Sequence, residues 1–227
     1  MNKAIFWDSD GTLMYGNESF LWSLDKALRN HKYEIEKGLI KEFLRGVCSW
    51  FTPEKTHPEV TGEVWWETLL DSTKGFCHQH NVLAEDIPQI CQEFRENVVI
   101  FEYQLYDDAE EILQYCTQLG YKNYLISNNF PELVKIFERL GLDKYFSGYV
   151  LSADIGYEKP NREIFLHALK KAGNPEVCYM VGDNPITDVK GAQAVGMKTI
   201  LVHRKPEEAE PDYVCEELLE IKSLRIL

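Results

Sequence analysis

Four short runs of nearly unbroken apolar character punctuate the chain, at residues 4–7, 123–127, 177–181 and 199–202. A strand buried on both faces needs continuous rather than alternating apolarity, so these runs predict strands of a parallel sheet. Between the later runs the pattern turns helical. Ile112, Leu113 and Cys116 share a helical face within 109–119, preceded by Asp107 and Asp108 and stopped by Gly120. Pro131 opens a second helical segment, through Leu133, Ile136, Phe137 and Leu140 to Gly141. Segments 161–172 and 186–195 repeat the scheme and close on Gly173 and Gly196. Strand and helix thus alternate from about residue 107, which predicts an α/β fold with a Rossmann-like, doubly wound parallel sheet.

Residues 17–103 break that rhythm. Helical stripes recur there (Phe20, Leu21, Leu24, Leu28; Ile35, Leu39, Phe43, Val47; Trp65, Trp66, Leu69, Leu70; Ile87, Ile90, Phe94), with no convincing strand between them. An all-helical insertion after the first strand is the economical account, leaving 1–16 and 104–227 as the core and 17–103 as the inserted unit. The stretch 51–62, with Pro53 and Pro58, reads as an irregular connection within it. Trp22, Trp50, Trp65 and Trp66 lie in the insertion; packing of a small helical bundle explains any one of them better than a ring-stacking pocket does.

Charge and cysteine content narrow the function. With 24 Lys+Arg against 37 Asp+Glu the formal charge is −13, which argues against a nucleic acid polymer or an anionic membrane surface as partner. No apolar stretch reaches the length of a membrane span. The start of the sequence has no basic segment followed by an apolar stretch and a cleavage site, and the six cysteines are scattered without a Cys-x-x-Cys pair. A cytoplasmic protein with reduced thiols is the resulting expectation.

The chemistry gathers at the carboxyl ends of the predicted strands, where open α/β sheets bind their ligands. Asp8 and Asp10 follow the first strand, Ser127-Asn128-Asn129 the second and Gly182-Asp183 the third, while Lys159 lies in the loop before the 161–172 helix. With Asp188, four carboxylates converge on one edge. Two unit charges 4 Å apart repel by about 1 kcal/mol in water and about 4 kcal/mol at an effective dielectric of 20, so such a cluster does not serve stability. A divalent cation removes the repulsion, and an all-oxygen site suits Mg²⁺ better than zinc. An EF-hand calcium loop fails, because aligning Gly11 with its sixth position places Phe6 at the first ligand and Asn17 where a bidentate Glu belongs.

These residues carry a resemblance. Asp8-Ser9-Asp10-Gly11-Thr12-Leu13, Ser127 after Tyr124-Leu125-Ile126, Lys159-Pro160, and the run from Val181-Gly182-Asp183-Asn184 to Asp188 resemble, in order, the four motifs of the haloacid dehalogenase-like hydrolase superfamily. The resemblance spans essentially the whole chain and implies a helical cap between the first and second motifs. It implies Asp8 as nucleophile and Asp10 as general acid and base. Ser127, Asn128 and Lys159 would bind the phosphoryl group, and Mg²⁺ would be held by Asp8, Asp183 and the backbone carbonyl of Asp10. Asp188, Asn184 and Thr12 would support that site. A carboxylate at position 10 points away from dehalogenation, which has no leaving oxygen to protonate, and toward a phosphatase acting on a small phosphorylated metabolite. Alternatives are a phosphomutase of the same family and a non-hydrolytic module that accepts a phosphoryl group. In the insertion, Lys41 and Arg45 read more readily as a solvated helix face than as contacts to a substrate anion.

Overall fold

A computed structural model describes residues 2–224. They form one six-stranded sheet from β1 (Lys3–Trp7), β2 (Lys122–Ser127), β3 (Phe146–Leu151), β4 (Val177–Gly182), β5 (Lys198–Val202) and β6 (Tyr213–Cys215). The spatial order is β3-β2-β1-β4-β5-β6 and every neighbouring pair is parallel. The α/β, doubly wound expectation therefore agrees with the fold. Winding reverses at β1, between β2 and β4, and the carboxyl ends of those three strands meet at that point.

Continuous apolarity in the strands has a direct physical cause: both faces of the sheet are covered. Ala4, Phe6, Tyr124, Ile126 and Met180 pack on one side against Ile164, Phe165 and Ala168 of the helix over Arg162–Lys171. Ile5, Trp7, Leu125, Val181 and Ile200 face the opposite layer. Burying each such side chain is worth about 1.5–3 kcal/mol, which is why alternate residues of one strand can both be apolar.

The strands at 4–7, 123–127, 177–181 and 199–202 are present, but two others carry no comparable signal. β3 is interrupted by Ser147-Gly148 and its pairing with β2 shifts register between Asn123 and Tyr124. β6 has only three residues, at the sheet edge.

Helices α1 (Ser19–Asn30), α2 (Lys37–Val47), α3 (Glu63–Gln79) and α4 (Ile87–Ile100) fill the segment between β1 and the core helix α5 (Ala109–Gln118). Residues 17–103 hold no strand among the described residues. Two antiparallel linker segments close the base of this insert, with the Tyr15 amide donating to Gln104 O at 2.9 Å and the Tyr106 amide to Leu13 O at 3.0 Å. The expected stripe on α2 is shifted by one position: Ile35, Phe43 and Val47 pack against the core, Leu39 is exposed, and Ile40 and Leu44 are the buried residues of the helix. Phe20, Trp66, Phe94 and Phe130 make edge and stacked contacts with centroids 5.4–6.3 Å apart, so the aromatic cluster crosses from insert to core. Trp22, by contrast, is exposed, with Lys26 over its ring.

The core continues with α6 (Leu133–Arg139), α7 (Ser152–Ile155), α8 (Arg162–Lys171) and α9 (Gly191–Gln193). Glu132, just before α6, ties the insert down. Its buried carboxylate accepts the Trp66 indole N–H at 2.6 Å and the Arg95 guanidinium at 2.7 Å, and Arg95 also pairs with Glu63. The irregular 51–62 connection docks on the far side, where the His57 and Gly62 amides each donate at 2.8 Å to Gly156 O and Ala153 O.

The helix expected over 186–195 is present but starts wide, as a π-helix over Pro185–Lys190 that runs on into the short α9. Asn184 sets this geometry by accepting the Ile186 and Thr187 amides at 2.9 and 3.1 Å, while its own amide donates to Asp188 Oδ2 at 3.0 Å. No helix among the described residues is long and apolar enough to cross a membrane.

Candidate active site

β1 ends at Trp7, and the Asp8 amide extends its pairing by donating to Val181 O at 2.9 Å. The chain then folds back on itself: the Leu13 and Met14 amides both donate to Ser9 O at 2.9 Å, and the Gly11 amide to Met14 O at 2.6 Å. Gly11 takes a φ of +87°, and a Cβ there would lie 2.5 Å from Asp183 Oδ2. Glycine is needed for both the backbone angle and the close approach of that carboxylate. Gly182 is needed for a similar reason, since its Cβ would collide with the Asp188 carboxylate.

One ligand atom each from Asp8, Asp183 and Asp188 lies within 4.8 Å of the others, and all three residues are buried. Lys159, 2% exposed, reaches between two of them with Nζ 2.6 Å from Asp8 Oδ1 and 2.6 Å from Asp188 Oδ1. Burial alone would lower the Lys159 pKa, but Asp188 and Asp8 outweigh it and hold the ammonium above its usual range. Burial pushes the Asp188 carboxyl up while Lys159 pulls it back. Asp188 meets only donors, Lys159 and the Asn184 amide, and we read it as the ionised half of an ion pair. Asp183 is raised to about 6 by burial and then by Asp8, against the opposing pull of Arg204, whose Nη2 is 2.8 Å from Oδ2.

Asp10 is held differently. Asn17 Nδ2 donates to its Oδ1 at 2.6 Å, and Asn129 Nδ2 and Ser9 Oγ donate to its Oδ2 at 2.7 and 2.9 Å. Burial, and secondarily the neighbouring Asp8, still raises its pKa to about 6. Asp8 Oδ1 takes Lys159, and its other oxygen has no hydrogen-bond donor among the described residues. The two carboxylates thus face one space with different preparation.

That space is a cavity of about 460 Å³. Asp8, Asp10, Ser127, Asn128, Asn129, Lys159, Asp183 and Asn184 line its floor, and α1, α2 and the turn after α2 contribute its roof. Ser127 Oγ lies 2.6 Å from Ser9 Oγ, facing Asp10's supports. The Asn128 side chain is engaged elsewhere: its Nδ2 donates to Lys159 O at 2.9 Å and its Oδ1 accepts the Lys159 amide at 2.6 Å. Its side-chain amide is thereby taken up by the Lys159 backbone. Thr12 is fully buried, does not line the cavity, and its carbonyl lies 3.2 Å from the His203 ring.

Arg204, Asn129, Asn17 and Thr187 also line this cavity without having been singled out as site residues from the sequence. Arg204 follows β5 by two residues and adjoins the Lys205 to Glu210 run, which carries only the signature of a solvated loop. Asn129 stood in the Ser127-Asn128-Asn129 triplet, and its place at a strand end was the available signal.

A family model described as haloacid dehalogenase-like hydrolase matches residues 2–196. A glyceraldehyde 3-phosphate phosphatase of Methanothermobacter thermautotrophicus is 40% identical over 218 residues, covering 94% of this chain and 91% of that protein. Haloacid dehalogenase-like hydrolase domain-containing protein 3 of Bos taurus is 33% identical over 92% of this chain and 84% of its own length. A phosphoserine phosphatase of Thermus thermophilus is 38% identical over 52% of this chain, and the match spans half of that protein. Among solved structures, the magnesium-bound HAD-hydrolase YfnB of Bacillus subtilis superposes with a TM-score of 0.72 at 19% identity, covering 99% of both chains. A 2-haloacid dehalogenase of Pseudomonas syringae pv. Tomato also reaches 0.72, at 21% identity and with 98% and 97% covered. Fold and site thus define a doubly wound α/β hydrolase with an acidic centre at its switch point. The chain belongs to the haloacid dehalogenase-like hydrolases.

Proposed function

We propose that this hydrolase is a Mg²⁺-dependent phosphatase acting on a small phosphorylated metabolite through an aspartyl-phosphate on Asp8. The observation that carries the reading is the unequal preparation of Asp8 and Asp10 within one cavity. Asp8 keeps one oxygen without a donor among the described residues, while Lys159 on the other holds the group in place. That free oxygen attacks phosphorus as the bond to the leaving oxygen breaks, splitting one displacement into two easier steps.

Asp10 gives its proton to the leaving oxygen, then takes one from the water that attacks the aspartyl-phosphate and frees phosphate. With a pKa of about 6 it holds that proton about a tenth of the time at pH 7, on the order of a hundred times more than an ordinary aspartate. The phosphatase names of relatives at 38% and 40% identity support the same chemistry, as does the presence of Asp10 itself.

The donor set fits Mg²⁺: three buried carboxylates, oxygen only, each able to offer an atom within 4.8 Å of the others. Asp8, Asp183 and the Asp10 carbonyl would hold the ion, with Asp188 and Asn184 supporting. When bound it would offset the charge of the phosphoryl group and the carboxylates. Lys159 and Ser127 orient the phosphoryl oxygens, and Asn128 acts by fixing Lys159. Residues 17–103 form the cap that closes over the substrate and limits water.

The test is hydrolysis across a panel of phosphorylated metabolites, with Mg²⁺ and with a chelator. Activity should need Mg²⁺, and Asp8→Asn should lower kcat by at least ~10³-fold while circular dichroism keeps the wild-type spectrum. Turnover in Asp8→Asn near the wild-type rate removes the nucleophile assignment.

A further inference from the structure

The roof of the cavity carries one cation without an ion-pair partner among the described residues. Helix α2 presents Lys41, Leu44 and Arg45 to the cavity, at spacings that put them on one helical face, and Cys48 follows just past its C-terminus. Arg45 therefore stands on the side that looks toward the floor, beside Leu44 and Cys48, and not on the side turned away from it.

Four basic side chains line this space. Lys159 sits between Asp8 and Asp188, Arg204 binds Asp183 at 2.8 Å, and Lys41 binds Glu18 at 2.5 Å. Arg45 alone has no carboxylate partner among the described residues, in a chain where acidic residues outnumber basic ones 37 to 24. A guanidinium offers five donors in a planar fork that matches carboxylate and phosphate oxygens.

Phe20, Leu21, Leu44, Trp50 and Phe51 give the roof an apolar stretch, alongside the polar Asn17, Glu18 and Ser19. The cavity, at about 460 Å³, has roughly fifteen times a water molecule's share of liquid volume, leaving room for a leaving group of several heavy atoms beyond the phosphoryl group. A substrate in this space meets Lys159 and Ser127 on the floor and, on the roof, apolar side chains together with an unmatched guanidinium.

We infer that Arg45 binds a second anionic group of the substrate, so that the preferred ester carries a carboxylate or a further phosphoryl group on its leaving half; this rests on the phosphatase reading above. A neutral leaving group leaves the guanidinium without a partner and gains nothing from it. Because the contact is remote from the reacting atoms and persists from ground state to transition state, its loss raises KM more than it lowers kcat.

The experiment compares kcat/KM of wild type, Arg45→Met and Arg45→Lys on 3-phosphoglycerate, a sugar bisphosphate and para-nitrophenyl phosphate. The wild type should favour one of the two doubly anionic esters, and which one it favours separates carboxylate from phosphate recognition. In Arg45→Met the ratio of that ester to para-nitrophenyl phosphate should fall about 10- to 100-fold, mainly through KM, the range expected for a hydrogen bond between charged groups. Arg45→Lys should recover part of the ratio by restoring charge without the fork. An unchanged ratio in Arg45→Met, or a wild type without preference for either doubly anionic ester, overturns the inference. If the wild type hydrolyses none of the three, this inference and the phosphatase reading fall together. Hydrolysis of para-nitrophenyl phosphate with a ratio indifferent to residue 45 removes this inference alone.

Discussion

At the floor of the cavity, Asp8, Asp10, Asp188, Asn129 and Lys159 are each fixed by named hydrogen bonds, whereas at the roof Arg45 has no ion-pair partner among the described residues and Phe51 is 51% exposed. The difference follows from charge and burial. Buried carboxylates and a buried ammonium tolerate one arrangement only, because any group left unpaired carries its full desolvation cost. A solvated guanidinium and exposed rings carry little of that cost, so the roof can change without unfolding the chain. The floor is therefore where chemistry is fixed, and the roof is where a substrate's remainder can be sorted.

The sharpest way to break the floor is Lys159→Met. It removes the one cation between Asp8 and Asp188 while keeping an unbranched side chain of comparable length. Turnover should fall by at least ~10²-fold, since phosphoryl transfer depends on electrostatic positioning. Stability should drop by about 3–5 kcal/mol in a chelator, the usual cost of breaking a buried pair from one side. Thermal melts should show a smaller drop with Mg²⁺ present, because a divalent cation takes over part of the charge balance. An equal drop in both conditions would separate the acidic cluster from metal binding.

Glu132→Ala tests what holds the roof in place. It strips the partner from the buried Trp66 indole and one of two partners from Arg95, so about 2–3 kcal/mol is expected. In a domain of this size that is a fall of about 5–10 °C in Tm. The floor lies outside this network, so kcat on para-nitrophenyl phosphate should change far less than in Lys159→Met. A melt within 1–2 °C of wild type would mean that the aromatic cluster of Phe20, Trp66, Phe94 and Phe130 holds the insert without the carboxylate.

The contrast also explains what could be read from the sequence. Strands buried on both faces announce themselves by unbroken apolarity, so β1, β2, β4 and β5 were legible, and with them the strand ends that carry Asp8, Ser127 and Asp183. β6, three residues at an edge, lacks that constraint, and β3 is cut by Ser147-Gly148. The π-type turn that brings Asp188 to Lys159 depends on hydrogen bonds made by one asparagine side chain, which a helical pattern over 186–195 conceals. Asn17 and Arg204 reach the site from loops that no periodicity marks, and each is recognised only by the carboxylate it touches. Asn128 shows the opposite limit: its strand-end position was legible, but its engagement with the Lys159 backbone was not. On α2, the apolar stripe holds at Phe43 and Val47 but misses Ile40 and Leu44 and includes the exposed Leu39, because pattern alone does not say which neighbour a helix packs against.

The central claim, that the floor hydrolyses phosphate esters through Asp8, is tested most directly by trapping the intermediate. Wild-type enzyme quenched in acid during turnover and reduced with borohydride should carry homoserine at position 8, the product of reducing an acyl phosphate, read as a mass change on the peptide spanning Asp8. Asp8→Asn treated alike should show none. Sustained hydrolysis by the wild type with no modification at Asp8, or with phosphate trapped on another residue, would contradict the account.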